Sequence, residues 1–208
     1  MTVKKIAILG ASGHGKVVAE LAELNGYSVA FFDDAYPQKS QLEHWSVIGN
    51  TDALIANIQD FDGVAIGIGN NRIRAEKSAQ LDSVNAELIS LVHPSATVSN
   101  YSVLGKGVAV MAGAVINPFA TIGDGVIVNT CAVVEHDCLL GDFSHVSPNA
   151  ALAGESKIGH KTWIGIGASV RQQIKIGDDS VIGAGSVVVK DIPAGSTVCG
   201  NPAKEMKR

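Results

Sequence analysis

The segment Val110–Ser147, "VMAGAVINPFATIGDGVIVNTCAVVEHDCLLGDFSHVS", keeps a beat of six. Counting forward from Val110 reaches Ile116, Ile122, Val128, Val134, Leu140 and Val146, each a branched aliphatic. The count extends back through Leu104 and Val98 to Val92, and forward through Leu152, Ile158, Ile164, Val170, Ile176 and Ile182 to Val188. All seventeen positions are Val, Leu or Ile, residues that make up only roughly a quarter of the chain, so chance does not explain the series. Small or compact residues stand four places after most of these aliphatics (Ala114, Ala120, Ala132, Cys138, Ser144, Ala150), and glycine often follows directly (Gly105, Gly123, Gly141, Gly159, Gly165, Gly177, Gly183). A fixed period sustained over this length is the mark of a stacked repeat.

From about His93 onward this hexapeptide repeat resembles the left-handed parallel β-helix of the hexapeptide acyltransferases. Three hexads close one triangular coil, with the aliphatic pointing inward, the small residue near a corner and glycine easing the turn. At the usual strand spacing, between five and six coils make a prism about 27 Å tall. The series has no insertion, so no long loop is expected to protrude.

An 18-residue coil turns spacing into geometry, because positions 18 apart share a vertical column. Pro118, His136, Gly154 and Gln172 form one column, His145 and Trp163 another, and Asn129, Ser147 and Gly165 a third. With Val134 inward and Cys138 near the corner, His136 must point outward, beneath a coil whose matching position is a bare glycine. Glu135 and Asp137 flank it; either acid is a possible partner for the imidazole, and both are equally readable as solvated charges.

The front of the chain has a different grammar. "KIAILG" reads as a strand, "HGKVVAELAELNG" as a helix with Val17, Leu21 and Leu24 at helical spacing and Gly26 as its stop, and "YSVAFFDD", "SVIG", "FDGVAIGIG" and "AELISLV" as further strands. Helical stretches fall near Thr51–Ile58 and Asn71–Leu81. The alternation predicts a Rossmann-like parallel sheet covered by helices over residues 1–91, followed by the β-helix over residues 92–208. Ligands of such sheets gather at the C-terminal ends of the strands. The first of those ends carries "GASGHGKV", a G-x-x-G-x-G loop opening a helix, which suits either a phosphate site or a tight strand-to-helix turn.

Composition narrows the classes of function. The net charge of −4 and the lack of a basic cluster argue against nucleic acid, and 46% apolar residues suffice for a core. No apolar run reaches membrane-spanning length, and the N-terminal stretch is too short for a signal peptide, so the cytoplasm is the expected compartment. Three cysteines, Cys131, Cys138 and Cys199, match neither a disulfide framework nor a zinc site, and no metal is expected.

"NTCAVVEHDCLLGDFSHVSPNAALAG" resembles the matching segment of the bacterial sugar-nucleotide N-acetyltransferases that act on a UDP-4-amino sugar in bacillosamine-type glycan synthesis, a family related to the sialic acid O-acetyltransferases. The resemblance implies acetyl-CoA as co-substrate, bound between neighbouring prisms of a homotrimer, and a UDP-linked amino sugar as acceptor. It implies His136 as general base, Asp137 as its orienting carboxylate and Asn129 as an active-site neighbour. His145, Gly154, Ile166, Ala184 and Lys204 would meet the coenzyme, with Gly154 donating its backbone N–H to the thioester oxygen, and Lys207 and Arg208 extend the basic tail. Ser12, Gly13 and His14 would contact the sugar and diphosphate, Asp33 and Asp34 its polar groups, and Asn70, Asn71 and Arg72 the uridine end.

The residue types suit the chemistry. An amine attacking a thioester sheds a proton, and an imidazole accepts it near neutral pH. No nucleophile is required, and none of the three cysteines has an evident activating partner. His44, His93 and His160 receive no role. A related reading moves the acetyl group to a hydroxyl of sialic acid or a similar sugar; a different class is a non-catalytic sugar- or nucleotide-sensing module. NAD-dependent dehydrogenation fits the glycine loop less well, because its pattern is not G-x-G-x-x-G.

Overall fold

The computed structural model describes residues 3–206, and the chain divides into two compact units after Leu91. In the first unit, β1 (Lys5–Leu9), β2 (Ser28–Phe32), β4 (Trp45–Gly49) and β5 (Gly63–Ile66) run parallel, and the short β3 (Gln41–Leu42) pairs antiparallel with β4. The sheet order is β3-β4-β2-β1-β5. The chain reverses its direction of travel across the sheet between β1 and β5, so the loops after those two strands flank the switch point, where open α/β sheets bind ligands. Helix α1 (Gly13–Leu24) follows β1, α2 (Thr51–Ala56) follows β4 and α3 (Asn71–Asp82) follows β5.

Two expectations change here. The buried stripe of α1 is Gly15, Val18, Ala19, Leu21 and Ala22, whereas Val17 and Leu24 are exposed. Small side chains let the helix lie close to the sheet, which turns the bulkier pair outward. "AELISLV" does not form a fifth strand of this sheet; only Leu88 bridges Val64, while Leu91–Val92 begins the second unit's ladder.

The second unit is a parallel β-helix of two-residue strands repeating every six residues from Leu91–Val92 to Val187–Val188. The strands stack 18 residues apart into three sheets, with Val115–Ile116 on Val133–Val134, Thr121–Ile122 on Leu139–Leu140, and Ile127–Val128 on His145–Val146. The inward aliphatics from Val110 to Val188 are at most 3% exposed. Those of the first coil, Val92, Val98 and Leu104, are only partly buried, because within this unit they have a stacking neighbour on one side alone. Among the residues four places on, the buried hydroxyls of Ser156 and Thr162 donate to neighbouring carbonyls, Ser156 to Ala153 at 2.6 Å and Thr162 to Gly177 at 2.7 Å.

The glycines after the aliphatics serve a different end from the one expected. From Gly107 to Gly185 the left-handed residue of the turn sits two places further on, and is Gly107 and Gly125 but also Phe119, Cys131, Asp137 and Glu155. The earlier glycines are needed for close stacking: a Cβ on Gly141 would lie 2.6 Å from the His160 nitrogen one coil above. Along that edge, side chains accept from backbone N–H groups one coil earlier, Asp124 from Lys106, Asp142 from Asp124, His160 from Asp142 and Asp178 from His160. His160 thus belongs to a structural ladder.

Candidate functional site

In the first unit the candidate residues converge on the loops after β1 and β5. Gly10 adopts φ +108°, which L side chains rarely reach, and a Cβ on Gly67 would stand 2.8 Å from the Gly15 Cα, so close packing of loop and helix demands these glycines. Nothing lies within 4 Å of where a Cβ on Gly13 would be, so packing places no such demand there. Ser12 occupies the N-cap of α1, but its side chain does not cap the helix; its hydroxyl approaches the Gly67 carbonyl at 3.5 Å.

His14 is largely enclosed, and its Nε2 is buried with no hydrogen-bond partner among the described residues. Burial first, and the charge of Arg74 second, lower its pKa to about 4, so the ring is neutral at physiological pH. Its unfolded value is near 6.5, so between those limits the unfolded chain takes up a proton that the folded chain refuses. His14 therefore contributes stability that is complete above about pH 6.5 and is lost as pH falls through about 4, an effect of roughly 3 kcal/mol. Unfolding of the protein followed from pH 7 to 4.5 is expected to show this loss, and His14→Gln is expected to flatten it.

Both acids after β2 are engaged within the protein. Asp33 accepts from Ala11 N–H at 2.7 Å and Ala35 N–H at 2.9 Å, tying the glycine loop to the end of β2. Asp34 accepts from the Thr51 hydroxyl at 2.6 Å and from Lys77 at 2.6 Å. Desolvation pushes its pKa up, but these donors outweigh it and hold the carboxyl at about 2. Asn70 caps α3, accepting from Arg72 and Ile73 N–H at 3.1 Å each. Arg72 is exposed, whereas Arg74, which the sequence reading passed over, is 2% exposed and bonds back into the loop. A signal for it was present: Arg74, Ser78 and Leu81 share the buried stripe of α3 at helical spacing.

In the second unit His136 lies at the turn between Val133–Val134 and Leu139–Leu140, that is, at the corner of the six-stranded and five-stranded sheets. The ring points outward, and both its side chain and that of Asp137 are more than half exposed. The left-handed backbone of Asp137, φ +60°, brings its carboxylate 2.8 Å from His136 Nδ1. Asp137, not Glu135, is therefore the partner. That hydrogen bond raises the imidazole pKa; slight desolvation opposes it, and the charges of Asp137, Glu135 and Glu155 add to the rise. With Nδ1 facing a carboxylate, the neutral ring carries its proton there and leaves the Nε2 lone pair available. Nε2 lies against Gly154 one coil above, where a Cβ would be 2.5 Å away. The Gly154 carbonyl accepts from Gln173 N–H at 3.0 Å, while its N–H has no acceptor among the described residues.

Asn129 and His145 form a second cluster. Asn129 Nδ2 is 3.0 Å from His145 Nε2, the His145 ring stacks on Trp163 at 6.0 Å and 9°, and Trp163 Nε1 donates to Ser147 at 2.6 Å. Ser147 and Trp163 carried no role in the sequence reading. Asn129 follows Ile127–Val128 and precedes Val133–Val134, so it occupies the corner between the eight-stranded and six-stranded sheets. One whole face of the prism separates it from His136. Exposed Ile166 and Ala184 rise on Asn129's corner, tied through the bond from Gly185 N–H to the Ile166 carbonyl at 2.8 Å. Lys204 is exposed on a terminal strand paired with Thr197–Cys199; Lys207 and Arg208 lie outside the described residues.

Cys138 is buried, and desolvation pushes its thiol up to about 11, the opposite of an activated nucleophile. Among the described residues no group of three or more His, Cys, Asp or Glu is placed to hold a metal ion, and no helix is long and apolar enough to cross a membrane.

A parallel sheet with a glycine loop at its switch point, joined in sequence to a hexapeptide β-helix bearing an outward His–Asp pair, defines a sugar-modifying acyltransferase architecture. The PglD N-terminal domain family matches residues 5–81, and the bacterial transferase hexapeptide family matches residues 101–136 and 155–190. The acetyltransferase domain of PglB from Neisseria gonorrhoeae FA1090, solved in complex with acetyl coenzyme A, is 44% identical with a TM-score of 0.94, over 99% of this chain and 100% of that one. PerB from Caulobacter crescentus, solved with CoA and GDP-perosamine, is 39% identical with a TM-score of 0.93, over 99% of each chain. The UDP-N-acetylbacillosamine N-acetyltransferase of Bacillus subtilis (strain 168) is 38% identical over 117 residues, 53% of this chain and about half, 52%, of that protein's length. The chain belongs to the PglD-type family of hexapeptide-repeat sugar N-acetyltransferases, and its prism is a left-handed β-helix.

Proposed function

We propose that the protein transfers the acetyl group of acetyl-CoA to the amine of a UDP-linked 4-amino sugar of the bacillosamine type. The observation that carries this reading is the exposed His136 imidazole, held by Asp137 through Nδ1 and presenting Nε2 beside the Gly154 N–H. The sugar amine attacks the thioester carbon, and His136 Nε2 takes the proton that the amine loses. The tetrahedral oxyanion receives the Gly154 N–H; its collapse forms the amide and expels the coenzyme thiolate, which the imidazolium protonates. The first unit contributes the nucleotide-sugar contacts through Ser12, Gly13, His14, Asn70 and Asn71, with Asp33 and Asp34 shaping the loops.

A homotrimer completes this reading. His136 and Gly154 occupy one corner of the prism and Asn129, His145, Ile166 and Ala184 another, and a closed ring of head-to-tail contacts sets the first corner of each copy against the second corner of the next. The coenzyme then lies between copies, with its phosphates toward Lys204.

Incubation with acetyl-CoA and a panel of UDP- and GDP-linked amino sugars, followed by mass spectrometry, tests the acceptor. Acetylation of a UDP-4-amino sugar supports the reading; preference for a GDP-sugar, or transfer only to a sugar hydroxyl, contradicts it. The base has its own test. It acts when neutral, so kcat/KM rises with pH through the raised His136 pKa. Asp137→Asn is expected to move that rising limb to lower pH and to depress the plateau about tenfold, because the ring becomes a weaker base.

A further inference from the structure

We propose that Arg74 is a positioning residue for the acceptor nucleotide, setting the loop after β5 so that the Gly69 and Asn70 N–H groups point at an oxygen of the ligand beside His14. The inference rests on the nucleotide-sugar reading above and concerns a residue that contacts no reacting atom.

The Arg74 guanidinium is buried one turn into α3 and reaches back along the loop, donating to the Ile68 carbonyl at 3.2 Å, the Gly69 carbonyl at 3.1 Å and Asn71 Oδ1 at 2.9 Å. In a trans peptide the carbonyl and the following N–H point in opposite directions. Drawing the carbonyls of Ile68 and Gly69 toward the guanidinium therefore turns the N–H groups of Gly69 and Asn70 away from it. Neither N–H donates to an acceptor among the described residues. A Cβ on Gly69 would lie 3.8 Å from the His14 Cβ, so these amides border the ring whose Nε2 is buried without a partner. A buried imidazole nitrogen without a partner, bordered by the half-buried Gly69 and exposed Asn70 amides at the switch point of an α/β sheet, suits a polar ligand.

The charge of Arg74 serves the same end. It helps keep His14 neutral, so the loop offers uncharged donors and a neutral ring to the nucleotide. Of the other charged groups nearby, Asp33 accepts from Ala11 N–H, Lys39 donates to the Ala11 carbonyl, and Arg72, in the first turn of α3, is exposed. The shared ligand chemistry is an acceptor oxygen, supplied by a uracil carbonyl or by the diphosphate.

The test uses the full chain, with calorimetric titration of UDP, uridine and inorganic pyrophosphate alongside steady-state kinetics. Arg74→Met is expected to weaken UDP binding and raise the acceptor KM at least tenfold, leaving kcat and the acetyl-CoA KM within about threefold; Arg74→Lys restores part of the loss. Loss confined to uridine assigns the amides to the base, and loss confined to pyrophosphate assigns them to the diphosphate. A lowered Tm with unchanged UDP affinity would mean a purely structural role and overturn the inference. In the wild-type protein, the Gly69 and Asn70 amide resonances are expected to shift on UDP addition, and resonances that stay fixed would overturn it without any variant. Wild-type protein that acetylates no nucleotide-linked amino sugar sinks the functional reading instead, so the two failures are distinguishable.

Discussion

His136→Ala lowers turnover by roughly 10²- to 10⁴-fold, the loss that accompanies removal of a general base. Coenzyme A affinity stays within about twofold, because the substitution removes a ring from an exposed corner and leaves the backbone around Gly154 intact. Stability is expected to change little for the same reason. Stopped assays with acetyl-CoA and the acceptor, together with calorimetric titration of CoA, read both quantities. A fall of less than tenfold would remove His136 from the mechanism.

Gly154→Ala is expected to cost nearly as much although it deletes nothing. The new Cβ would stand 2.5 Å from His136 Nε2 and 2.6 Å from Cε1, so the imidazole must swing off its resting place. A displacement of about 1 Å at a reacting group suffices for a loss of about 10²-fold. Backbone strain is not the cause, since Gly154 does not adopt a left-handed φ that alanine would resist. The expected signature is a large drop in kcat with unchanged Tm; the same variant at full activity would mean that the ring's position over Gly154 is unimportant to the chemistry.

Much of the architecture was legible because burial imposes a period. Each inward position of the prism tolerates only an aliphatic, and the 18-residue coil converts that rule into columns, so the outward aim of His136 and its stacking under Gly154 followed from counting. Its partner acid did not follow. Glu135 and Asp137 flank the ring equally in sequence, and only the left-handed turn at Asp137 swings one carboxylate onto Nδ1. Asn129 is seven residues from His136, yet a full face of the triangle lies between them, a separation set by the three-sided coil rather than by distance along the chain.

In the first unit the strand and helix pattern was readable, but the loops were not. Arg72 and Arg74 are two residues apart on one helix, and which of them is buried depends on how α3 rolls against the sheet. Asp33 and Asp34 looked free for a ligand because their partners, Ala11, Thr51 and Lys77, are brought in from distant parts of the chain. Helical and strand periods are local; these bonds are set by tertiary packing.

The account stands on a single imidazole meeting a single amine. A crystal structure of the protein with CoA and a UDP-4-amino sugar measures that encounter: the sugar nitrogen is expected within about 3 Å of His136 Nε2, with the coenzyme sulfur beside Gly154. A sugar nitrogen seated away from His136, against another base or in open solvent, would contradict the account.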